Sequence, residues 1–112
     1  MESVFLRLYK EVCFWVFTYE HTPEVSGSKF VFERVSERDR VIHLTYDNVH
    51  LILEIDFKND VVSFTLSDGI LGGFCTNEWY RVRQKEDILL SVPHFINMMI
   101  NVHAVECFSY SF

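Results

Sequence analysis

The stretch VIHLTYDNVHLILEIDF, residues 41–57, alternates apolar and polar side chains on both sides of an Asp47-Asn48 pair. A period of two marks a strand with one face against a core. Asp and Asn tolerate the positive φ that a two-residue hairpin turn demands. The pattern predicts a hairpin in which Tyr46 faces Val49, Leu44 faces Leu51 and Ile42 faces Leu53. A second polar pair, Asn59-Asp60, predicts the next turn, with Phe57 opposite Val62, Ile55 opposite Phe64 and Leu53 opposite Leu66. All these pairs are apolar on apolar. A one-residue slip in either hairpin would set apolar against polar, so the pattern resists slipping.

The same alternation predicts strands over residues 29–35, 40–46, 49–57 and 61–67, joined by the short polar connections SERDR, DN and ND. Connections this short make the strands antiparallel neighbours. The face away from the core would carry Glu33, His43, Thr45, His50, Glu54, Asp56, Ser63 and Thr65, with Val31, Ile52 and Val61 among them. The Gly-bearing segment DGILGGFCTNE, residues 68–78, predicts a loop. EWYRVRQK then offers a fifth strand, with Tyr80 and Val82 on one side and Trp79, Arg81 and Arg83 on the other.

Both ends predict helix. Val4, Leu8, Val12, Trp15 and Tyr19 recur at helical spacing over residues 2–20, Phe5 and Val16 widen the stripe, and Ser3 can cap the start. The segment VCFWVFTY, residues 12–19, is also rich in strand formers, so a strand there competes. TPEVSGS, residues 22–28, closes the region as a turn or loop. Near the other end Ile88, Val92, Phe95, Ile96, Met99, Ile100 and His103 keep helical spacing. Pro93 has no N–H to donate, which suits the opening turn of a helix near Ser91. ECFSYSF, residues 106–112, fits either an extension of that helix or an edge strand. The expectation is one α+β domain over residues 1–112, an antiparallel four- to five-stranded β-meander with an N-terminal and a C-terminal helix packed on one face.

Composition narrows the function. The 112 residues are 49% hydrophobic and include eleven Phe, enough for a core without disulfide or metal staples and unlike a disordered chain. Net charge is −6, which repels phosphate backbones, so nucleic acid is not the expected partner. WYRVRQK does mix aromatics with Arg81, Arg83 and Lys85, as single-stranded nucleic acid favours, but it is one short patch. Cys13, Cys75 and Cys107 are odd in number and form no C-x-x-C pair, which fits buried thiols in a reducing compartment. The Met-Glu-Ser start has no basic leader, and the run 12–17 is too short to span a bilayer. The expected location is the cytoplasm, with no membrane contact.

Three kinds of site chemistry are conceivable on the polar face. His43 and His50 share it with β-carbons about 7 Å apart on the diagonal, close enough to share an ion with Glu33 as a third donor. Ile52 faces His43, however, and ordinary solvent-face histidines are the expectation, with no metal and no cofactor. Glu54 and Asp56 lie two apart on one strand, about 6.5–7 Å along it. Paired carboxylates at that distance can work on glycosides, but only in a cleft that raises one pKa, and solvated strand charges are the expectation. No G-x-S-x-G is present, and LGG at 71–73 lacks the Lys and Ser/Thr of a phosphate-binding loop.

A protein partner remains. Glu33, Glu54 and Asp56 share the face, and Glu37, Asp39, Asp47 and Asp60 lie in its turns, a surface able to steer a basic protein. Trp79 and Tyr80 would supply aromatic anchors. His43 and His50 would share that surface. The acidic balance, the single domain and RVIHLTYDNVHLILEIDFKNDVVSFTL, within residues 30–66, resemble the small immunity proteins that bacteria make beside polymorphic or contact-dependent toxins. Small phage-encoded inhibitors share this character. The resemblance implies a non-catalytic cytosolic inhibitor that occludes one cognate toxin domain, often a nuclease. The alternative is a small enzyme or ligand- or metal-binding domain using His43, His50, Glu54 and Asp56.

Overall fold

The computed structural model describes residues 2–22, 29–68 and 75–110. In chain order the elements are α1 (Val4–Glu20), β1 (Phe30–Ser36), β2 (Val41–Tyr46), β3 (Val49–Asp56), β4 (Val61–Asp68), β5 (Cys75–Arg81) and α2 (Lys85–Tyr110). The five strands form one antiparallel sheet in the order β1-β2-β3-β4-β5, the α+β meander expected.

The first hairpin has the expected register, Tyr46 on Val49, Leu44 on Leu51 and Ile42 on Leu53, with Asp47 at φ 52° in the turn. The second differs by two residues. Ile55 pairs with Val62, Leu53 with Phe64 and Leu51 with Leu66. The cause is Asp56, whose carboxylate accepts from the Asn59 backbone N–H at 3.1 Å and from its side-chain amide at 2.6 Å. This folds residues 57–60 into a four-residue turn, with Asp60 at φ 58°. Phe57 thereby leaves the sheet and lies exposed under the Arg40 guanidinium, 4.5 Å from its ring centroid. A shift of two preserves the faces, so the core set is unchanged. The Asn59 hydrogen bonds hold the Asp56 carboxyl below its ordinary pKa. A depressed carboxyl stabilises the fold above its unfolded pKa, and that stability is lost as pH falls below about 4. Asp56→Ala is therefore expected to lower Tm at pH 7 and to make Tm less acid-sensitive below about pH 4. Thermal unfolding of both chains at two pH values checks this.

α1 forms as the helical spacing predicts. The Ser3 side chain accepts from the Leu6 N–H at 3.0 Å, and Phe5, Leu8, Val12 and Val16 are buried. Helix prevails over the competing strand because this stripe recurs every three to four residues. The choice leaves Phe14 and Phe17 outside, 58% and 65% exposed. α1 packs beside α2 and reaches β1 through Tyr9, whose ring meets Phe32 edge-on at 5.6 Å.

α2 opens at Lys85, eight residues before Pro93, so proline does not mark the start as expected. Ile88 and Val92, ahead of the proline, lie buried on the same face as Phe95, Ile96, Met99 and Ile100 behind it. That continuous apolar face holds the helix through the missing N–H. By length and composition Lys85–Val105 could also cross a membrane, and in this fold its apolar face lies on the sheet. Of the final segment, residues 106–110 continue the helix. β5 starts three residues earlier than expected, because Cys75–Asn77 of the anticipated loop pair with β4, and it ends at Arg81, leaving 82–85 outside the strand. The remainder of that loop, residues 69–74, and residues 23–28 of the first turn fall outside the described residues.

Candidate functional site

Both helices lie on the inner face of the sheet, and no described helix covers the other. Antiparallel sheets commonly leave one face solvated in this way. The outer side chains form cross-strand rows. Thr45, His50, Ser67 and Cys75 make one, and His43, Ile52, Thr65 and Asn77 the next. Val41, Glu54, Ser63 and Trp79 follow, and then Asp56, Val61 and Arg81. The outer set read from the alternation falls in these rows, with Val31 extending the first opposite Thr45 and Glu33 lying beside them.

A bulge in β1 completes the first two rows. Pairing skips from Phe32 to Arg34, leaving Glu33 as the extra residue and setting Arg34 opposite His43. Glu33 turns toward Thr45, whose hydroxyl lies 3.3 Å from Glu33 Oε1 and 3.4 Å from the Val31 carbonyl. The Arg34 guanidinium pairs with Asp39.

His43 and His50 meet directly. Nε2 of His43 is 2.9 Å from Nδ1 of His50, a hydrogen bond, with ring centroids 5.1 Å apart. One ring donates and the other accepts, so at least one is neutral. Burial pushes the His43 pKa below the ordinary imidazole value, His50 pushes it further, and Glu33 opposes both. Among the described residues no three His, Cys, Asp or Glu side chains are grouped to hold a metal ion.

The two carboxylates on β3 have diverged. Glu54 stands exposed between Val41 and Ser63, while Asp56 is tied into the turn by Asn59. A carboxyl held low by hydrogen bonds to its charged form is unsuited to donating a proton near neutrality.

Trp79 and Tyr80 point to opposite faces. Trp79 is 57% exposed, with the Arg81 guanidinium 5.3 Å from its ring centroid. Arg81 also reaches the Asn59 carbonyl at 3.3 Å. Val61, Ser63, Asn77, Trp79 and Arg81 line a shallow hollow of about 280 Å³. Tyr80 faces inward, edge-on to Phe64 at 6.0 Å, with its hydroxyl donating to Glu78 at 2.8 Å and accepting from Ser91 at 2.7 Å. As an anchor on the outer face Tyr80 is therefore misplaced, because alternation along β5 sends it to the core side. Burial raises its pKa above the ordinary phenol value, with Glu78 adding to the rise and Ser91 opposing it.

Two further residues join the face without having been singled out. Asn77 donates to Thr65 at 2.7 Å, and Arg34 faces His43. Alternation traced backward from Trp79 reaches Asn77, whereas nothing in the sequence announces the bulge that places Arg34. Of the turn acids, Asp39 pairs with Arg34 and Arg38, and Asp47 lies 2.6 Å from His103 at the end of the sheet. Neither contributes an unengaged charge, and on the strands of the face Glu33 and Glu54 are the carboxylates not tied into a turn. Compared with protein-family models, curated proteins and solved structures, the chain matches none.

Proposed function

We propose that the chain is a non-catalytic binding module that docks a basic protein through the outer face of its sheet, an immunity-type inhibitor occluding a cognate toxin domain such as a nuclease in the cytoplasm. The observation that carries this reading is the five-stranded face that no described helix covers. Such a sheet presents about 19 Å across its strands and about 23 Å along them, suitable ground for a small specific interface. Glu33 and Glu54 supply acid charge, Ile52, Val41 and Val61 an apolar centre, and Trp79 an exposed anchor. The nearest cations are occupied within the chain, Arg34 by Asp39 and Arg81 by Trp79 and Asn59. Inhibition would follow from occlusion and charge complementarity, without turnover.

The test begins with the protein encoded immediately upstream of this gene. Co-expression is expected to yield a complex and to rescue cells that the upstream protein poisons. Glu33→Lys with Glu54→Lys is then expected to weaken that complex at least tenfold, about 1.4 kcal/mol, and to flatten its salt dependence. Asp56 is spared because it holds the turn. Unchanged affinity in the doubly reversed chain, with its Tm retained, would place the interface elsewhere.

A further inference from the structure

We propose that His43 and His50 are a two-proton switch set into the docking face, locked together when neutral or singly protonated and driven apart by the second proton. As a regulator of docking it rests on the reading above. As a proton pair it is a property of the free chain.

The geometry imposes the behaviour. The 2.9 Å contact between His43 Nε2 and His50 Nδ1 needs one lone pair. A neutral pair supplies it, and so does an imidazolium donating to a neutral ring. Two imidazoliums are both donors only, so the contact is lost when the second proton arrives, and two like charges face each other. Because the two sites interact, protons enter in two macroscopic steps that belong to the pair.

The surroundings set how the charge is felt. From β1 the pair faces Glu33 and Arg34, the latter held by Asp39. On β3 the next outward residues are Ile52 and the carboxylate Glu54. From β4 it faces Ser67 and Thr65, which carry no charge. Burial of the His43 ring resists its charged form, and Glu33 is the group that favours it. While the contact holds, the face presents Glu33 and Glu54 beside a pair that keeps at least one neutral ring. On acidification the added positive charge offsets those carboxylates, and once the second proton enters the separating rings alter the centre of the surface. A basic partner held at neutral pH would be released on acidification.

The experiment has two arms on the full chain. In the first, ring nitrogens of the ¹⁵N-labelled protein are followed by NMR from pH 8 to pH 5. The expected result is two linked steps, in which protonation of one ring opposes protonation of the other. His50→Asn, which keeps a polar group near the position of Nδ1, is expected to leave His43 titrating in one step at higher pH. Independent titration of the two rings, each indifferent to replacement of the other, would overturn the switch. In the second arm a lysine-rich peptide is the probe. Its affinity is expected to fall at least tenfold from pH 7.5 to pH 5.5 in the wild-type chain. In His43→Gln/His50→Asn that ratio should shrink at least threefold. Equal ratios would overturn the regulatory role while the first arm still judged the proton pair. Absence of any binding at pH 7.5 would overturn the docking reading and its regulation together.

Discussion

Replacing Phe64 with alanine is expected to destabilise the fold by about 3–5 kcal/mol. Phe64 is fully buried on the inner face of β4, opposite Leu53. Its ring lies 5.1 Å from that of Phe95 at 18° between planes, and meets Tyr80 at 90°. It therefore joins the sheet centre to α2 and to the edge strand β5. Alanine would remove all three contacts and leave a cavity that rigid neighbours on the sheet can only partly close. A domain of this size has about 5–15 kcal/mol in total, so the variant would sit near the threshold of folding. Urea unfolding followed by fluorescence measures the loss, and Phe64→Leu, which keeps most of the volume, should lose much less. A cost for alanine below about 1 kcal/mol would mean that this ring is not packed as described.

Val12→Asp is the second large effect, and its signature is pH dependence. Val12 is fully buried at the middle of the α1 stripe, between Leu8 and Val16. A carboxylate there cannot be solvated, so it must take up a proton or expel the helix. Neutralising an ordinary Asp at pH 7 costs about 4 kcal/mol, and each unit of acidification recovers about 1.4 kcal/mol. The variant is thus expected to be severely weakened at pH 7.5 and to regain stability steadily toward pH 6. Val12→Asn, with no proton to gain, should show no such slope. Should α1 detach alone, amide exchange over residues 4–20 would accelerate while β3 stayed protected. A pH-independent cost for the Asp variant would argue that α1 does not dock through this residue.

The faces of the sheet were legible because alternation is a strong, local signal. Ile42, Leu44, Leu51, Leu53 and Ile55 are all buried, as the period of two requires. The register of the second hairpin was not, because apolar pairing is satisfied equally well two residues away and only the Asp56–Asn59 contact decides between the two. Pro93 misled for a related reason. Its local preference favours a helix start, but the burial of Ile88 and Val92 ahead of it extends the helix across it. At the site, alternation placed His43 and His50 on one face. Their direct contact depends on rotamers, and the placement of Arg34 depends on a bulge, neither of which leaves a trace in the pattern.

The strand order has a kinetic consequence. Every strand pairs with its successor in the chain, so each pairing closes only a short loop, and the sheet can grow outward from the β2–β3 hairpin. Local pairings of this kind favour fast folding for a β-rich chain. The contact between α1 and α2 is the opposite case, since the whole sheet separates them in sequence. It carries the largest loop-closure entropy, and α1 has few other places to bury its stripe. α1, made before the sheet and α2, should therefore be the last of these elements to settle, waiting for α2 to complete the surface on which it lies.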